Sequence, residues 1–213
     1  MTDYSKVERL ALCDLFDAVG PDQPTLCEGW TTHDLAVHLY VRENDPLAGP
    51  GIMIPALSDT TERRMARAKA NHTFTEIVDK VRNGPPTFSI YSFPGLGAQF
   101  NTAEYFVHHE DVRRAVPDFQ PRDLPAEQQQ GLWKQIRLSA KGMTRKAPSG
   151  LVLRLPDGTE SVAKKPTDSG SVTMTGEPAE LVLFCFGRQA VAQVELEGEP
   201  ETIEALRTTS FGV

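Results

Sequence analysis

Apolar side chains recur at three- and four-residue intervals through the first 146 residues, and at two-residue intervals in several short stretches after them. The first pattern predicts helices and the second strands. Val7, Leu10, Ala11, Leu15 and Ala18 give a helix over Tyr4–Val19, stopped by Gly20-Pro21. A loop runs to Trp30. Thr31 then reads as an N-cap, with Asp34 three residues on as a weak capping box and Trp30/Leu35 as a hydrophobic staple. That helix continues through His38, Leu39 and Arg42 to about Asp45, and Pro46 ends it. Thr60–Asn83 reads as mainly helical, with His72 marking a break or an exposed turn. Phe100–Ala115 and Ala126–Lys146 are two more helices, the first closed by Pro117 and Pro121. Leu47–Pro55 and Thr87–Leu96 read as loops rich in Gly and Pro.

After Lys146 the pattern changes. Leu151–Leu155 reads as a strand, Pro156–Thr159 as a turn and Glu160–Ala163 as the start of a return strand. Ser171–Thr175 and Val191–Leu196 read as further strands, Pro178–Phe186 as a buried helix and Glu199–Arg207 as a last one. The fold class is therefore α+β: a helical domain at 1–147, with four helices long enough for a bundle, and a small α+β domain at 148–213. The boundary is placed near Ala147-Pro148-Ser149-Gly150.

Three polar side chains interrupt the apolar faces. His38 lies on the apolar face of the second helix. Glu104 and His108 stand four residues apart on the 100–115 helix, which brings them side by side. Burying a carboxylate and imidazoles is costly unless they are paired or bind something. Two His and one carboxylate form the ligand set of an open zinc site, with one position left for water or substrate. The competing reading is a satisfied core histidine and a solvated Glu–His pair. Asp111, one turn past His108, is placed to accept the second ring N–H of that histidine, or else to pair with Arg42 or Arg114. His33 and His109 read as outer-face residues, and Arg113 and Arg114 as a solvated face.

The chain has 213 residues, 39% hydrophobic and 24% charged, with a net charge of −7. Acidity argues against nucleic acid and anionic membranes as partners. No secretory signal or membrane-spanning run is evident, so a cytoplasmic location is expected. Cys13, Cys27 and Cys185 are odd in number and far apart, which indicates neither disulfides nor a thiolate zinc knuckle. Cys13 and Cys185 sit among apolar residues and read as core thiols. Cys27 lies in a loop, and nothing near it in sequence marks it as an activated nucleophile.

Gly29–Leu39 (GWTTHDLAVHL), followed by Glu104–Ala115 (EYFVHHEDVRRA), resembles the mycothiol-dependent maleylpyruvate isomerase family. Thr175–Arg188 (TGEPAELVLFCFGR) is similar to that family's small C-terminal domain, where a Leu-rich helix ends in Gly-Arg. The resemblance implies a DinB-like up-down four-helix bundle whose His38, Glu104 and His108 bind a divalent metal. Zinc is the first expectation; nickel, iron and cobalt also suit such ligands. It further implies mycothiol as a thiol cofactor, an electrophilic small-molecule substrate, and an S-transferase or isomerase-like reaction. Arg188 is a candidate for holding a carboxylate of substrate or cofactor, against the plain reading of a cation at a helix C-terminus. The alternatives are a hydrolase using metal-activated water, with Asp34 or Asp111 as base, and a non-catalytic metal- or ligand-binding protein.

Overall fold

A computed structural model describes residues 2–45, 58–87, 89 and 96–211. The Leu47–Pro55 loop lies outside these residues, as does the 87–96 loop apart from Thr87, Ser89 and Leu96. The chain divides into two compact units, Met1–Pro121 and Arg122–Val213.

The first unit holds α1 (Tyr4–Val19), α2 (Thr32–Asn44), α3 (Ser58–Asn71), α4 (Phe74–Asn83) and α5 (Leu96–Arg113). The helical stretch expected over 60–83, with a break or an exposed turn at His72, is two helices. Thr73 is extended at φ −71°, ψ 161° and caps α4 through a reciprocal box with Glu76. This local chemistry starts a new helix at the break expected at His72. The same device starts α2: Thr31 N–H donates to Asp34 Oδ2 at 3.0 Å, and the Thr31 hydroxyl takes the Asp34 N–H. The core joins Leu12, Cys13 and Phe16 of α1 to Leu35, Leu39 and Val41 of α2, and to Ile77, Val78 and Val81 of α4.

The second unit is α+β, as the period-2 strands predict. It contains α6 (Ala126–Met143), β1 (Gly150–Arg154), β2 (Glu160–Lys164), β3 (Ser171–Thr175), α7 (Pro178–Cys185), β4 (Glu195–Glu197) and α8 (Pro200–Thr208). The sheet order is β2-β1-β3-β4, with β1 and β3 parallel and the outer pairs antiparallel. Leu151 pairs with Val172 and Leu153 with Met174, which puts four buried side chains in register. Gly150 begins β1 where a Cβ would lie 2.6 Å from Pro166 Cα, so the close strand approach requires glycine.

Two features depart from the sequence pattern. The compact units divide at Pro121/Arg122, before α6, whereas the composition change places a boundary at 147/148. Helix α6 packs on α7 and β2, and those contacts draw it into the C-terminal unit. Strand pairing also begins at Glu195 and not at Val191. The Val191 and Ala192 amides bond back to the Arg188 carbonyl, and the Gln193 N–H donates to Glu180 Oε2 at 2.8 Å. With those donors engaged, no ladder forms there. Among the described residues, no helix is long and apolar enough to cross a membrane.

Candidate metal centre

The three side chains singled out by their placement on apolar faces meet inside the first unit. His38 comes from α2; Glu104 and His108 come from successive turns of α5. Glu104 Oε1 lies 3.3 Å from His38 Nε2 and 3.3 Å from His108 Nε2. The two imidazole rings are 5.1 Å apart and tilted by 71°. All three ligand-type atoms lie within 4.8 Å of one another. Both histidines are buried, while the Glu104 side chain keeps 20% exposure, so the group is sheltered but reachable.

These distances fit an ion. A tetrahedral cation with ligands at about 2.0–2.1 Å holds its donor atoms roughly 3.3–3.4 Å apart. The competing reading, a plain salt-bridge cluster, fits less well. Charge-assisted hydrogen bonds are usually about 2.7–2.9 Å. Glu104 Oε1 has three neighbours, each at 3.3 Å, the third being Arg42 Nε. Arg42 makes its short bond elsewhere, to Asn101 Oδ1 at 2.7 Å.

The other nitrogen of His108 is firmly held. Nδ1 lies 2.8 Å from Oδ2 of Asp111, which is fully buried. Asp111 thus accepts the Nδ1 proton and fixes the ring with Nε2 toward Glu104. The same Oδ2 accepts the Cys27 thiol at 3.2 Å. The Leu26 amide donates to the Asp111 carbonyl at 3.0 Å, which ties the 20–31 loop to α5. Gly29 at φ +76° turns that loop into Trp30, a backbone shape that favours glycine. The Trp30 ring then covers His38 at 5.2 Å.

Ionisation follows the geometry. Burial alone would raise the Glu104 pKa. The Arg42 guanidinium and the bonds from His108 and His38 outweigh it and hold the carboxyl well below its ordinary range. Burial likewise disfavours the His108 cation, but Asp111, Cys27 and Glu104 overcome it and raise that pKa well above normal. His38 is lowered, because burial and the nearby His108 and Arg42 outweigh Glu104. One carboxylate and one neutral imidazole are therefore ready as ligands, and a cation must displace a proton from the second imidazole.

Several outer-face assignments need correction. His109 is buried and bonded through Nδ1 to Glu8 Oε2 at 2.9 Å. Arg114 is buried against Glu110 Oε2 at 2.6 Å, with its guanidinium over the Phe119 ring. His33 is half-buried against the Phe74 ring. A rotation of about 100° per residue takes a side chain off one face, but α5 is covered nearly all round: Tyr105, Phe106, Val107 and Val112 are buried too. Cys27 is the residue that sequence reasoning missed as part of this neighbourhood. It lies 84 positions from Asp111, and no local signal joins them. Arg188 belongs to the C-terminal unit, where its guanidinium donates to the Phe186 carbonyl at the end of α7.

Asp111→Asn tests the support of His108. Loss of such a partner costs about 10–100-fold in metal affinity, so chelator competition with zinc should show a drop in that range. Unchanged affinity would mean that Asp111 does not orient the ligand.

Neither a protein-family model nor a curated protein matches the sequence. Solved structures do. A mycothiol-dependent maleylpyruvate isomerase superposes with a TM-score of 0.61 at 16% identity, over 93% of this chain and 92% of that one. A histidine-to-alanine mutant of the mycothiol-dependent maleylpyruvate isomerase gives 0.58 at 17%, with the same coverage. At such identity the likeness establishes a shared fold: the chain has the α+β architecture of these isomerases along nearly its whole length.

Proposed function

We propose that this protein is a metal-dependent enzyme that uses a low-molecular-weight thiol, mycothiol being the first candidate, on an electrophilic small molecule. The reaction would be an S-transfer or a maleylpyruvate-isomerase-like isomerisation. The observation that carries the reading is the spacing of two imidazole nitrogens about one carboxylate oxygen, 3.3 Å each. The shared fold with mycothiol-dependent isomerases supports the choice of a thiol.

His38, Glu104 and His108 would hold the ion, zinc fitting this donor set best. When bound, the ion supplies an acidified thiol, that is, a thiolate at neutral pH. The chain's own groups do the rest. Asp111 retains the Nδ1 proton of His108, Trp30 shields one side of His38, and Arg42 orients the Glu104 carboxylate.

The hydrolase alternative needs a free general base. Asp34 caps its own helix and pairs with Lys69. Asp111 is fully buried, with Oδ2 taken by His108 and Cys27. Neither carboxylate is available to a water at the centre, which favours thiol chemistry.

Calorimetric titration of zinc-loaded protein with mycothiol is the test. Saturable heat is expected, absent from the metal-free protein. A loaded sample that gives no heat with mycothiol, yet hydrolyses simple esters or amides, would overturn the reading in favour of the hydrolase.

A further inference from the structure

A second recess lies in the first unit, between α2 and α3. It measures about 520 Å³, within the range of small-molecule sites, roughly 300–1,000 Å³. Val41 and Ala68 supply apolar lining, and the Tyr40 and His72 rings meet edge to face at 5.7 Å. Arg63, Arg64 and Arg67 line one side. Helical spacing explains their convergence: Arg67 lies one turn from Arg63, and Arg64 is about 100° round from it.

The charge is one-sided. Among the lining residues Asp45 is the single carboxylate, and it pairs with Arg64. Among the described residues, neither Arg63 nor Arg67 makes an ion pair. Lys80 adds a further cation over the Tyr40 ring at 5.8 Å. This concentration of positive charge occurs in a chain whose net charge is −7. Guanidinium groups present flat forks that match phosphate and carboxylate oxygens. A concave site also strengthens the local field.

We propose that this recess binds a small dianionic oxyanion, a phosphate ester or a dicarboxylate, with Arg63 and Arg67 as its principal contacts. It is a different site from the candidate metal centre. None of His38, Glu104 and His108 lines it, and Tyr40 stands two residues, about 200°, round α2 from His38. The inference does not depend on the thiol reading.

Amide NMR titration at constant ionic strength tests it, with inorganic phosphate and succinate as probes and chloride as the control. Saturable shifts confined to α2 and α3 are expected with phosphate, succinate or both, and the stronger probe identifies the ligand class. Arg63→Gln/Arg67→Gln removes two exposed cations without touching the core and should weaken binding at least about tenfold. His38→Ala should bind the probe as the parent does. Shifts no greater than those with chloride would overturn the proposal. So would equal binding by the double variant, or loss of binding in His38→Ala, which would place the anion at the other centre.

Discussion

His108→Ala is expected to leave the protein without stoichiometric metal, while His109→Ala, one position on, keeps it. The two residues are a matched pair. Both are buried, and both are bonded through Nδ1 to a buried carboxylate, Asp111 at 2.8 Å and Glu8 at 2.9 Å. They differ in what the remaining nitrogen faces. His108 Nε2 points at Glu104 Oε1 within the three-residue group. A merely structural histidine cluster would make the two substitutions equivalent: each would cost stability and neither would touch metal content. In the metal reading, removing a first ligand must cost more than the roughly 100-fold upper value for a supporting residue. The readout is metal per chain after exhaustive dialysis, with zinc affinity by competition. The pH dependence adds a second signature. His108 is held protonated above its ordinary range, so binding a cation there releases a proton, and affinity must fall as pH falls. A parent protein that carries no metal and takes up none at any pH would end the proposal.

The grouping of the three candidate side chains was legible in the sequence to the extent that its signals are local. Glu104 and His108 are four residues apart on one helix, and His38 sits seven residues after an N-cap whose box is visible as Thr31-x-x-Asp34. Periodicity alone put all three on apolar faces. The Cys27–Asp111 contact and the Glu8–His109 pair join residues 84 and 101 positions apart, and no pattern within one element announces them. The failures on α5 share one cause. Reading a single buried stripe assumes one covered side, and residues 103–112 are buried on several. The second unit was legible in its strands, because alternation survives in five-residue segments such as Ser171–Thr175. Its share of the helices was not, because nothing in the periodicity of α6 says which neighbour it packs against.

The same long-range blindness hid the group with the largest expected effect on stability. Glu43 of α2 is buried and takes both terminal nitrogens of Arg9 of α1, each at 2.6 Å. Arg9 also donates to the Val81 carbonyl of α4 at 2.9 Å and lies over the Tyr105 ring of α5 at 4.4 Å. One guanidinium thus joins four helices, and its place over Tyr105 sits next to Glu104 in the chain. Glu43→Ala strands that cation in the interior. Breaking a buried pair from one side costs about 3–5 kcal/mol, and the melting temperature should fall by roughly 10 °C or more. Replacing both partners is a different experiment. Arg9→Met/Glu43→Leu removes both charges and keeps the volume, and such swaps are often neutral or stabilising. The double variant is therefore expected to melt well above Glu43→Ala, recovering most of the loss. If the charge network instead serves to fix the position of α5, the double variant will be stable and yet bind zinc more weakly than the parent. A Glu43→Ala protein that melts with the parent would show that Arg9 finds another partner or water, and that four helices do not depend on this one ion pair.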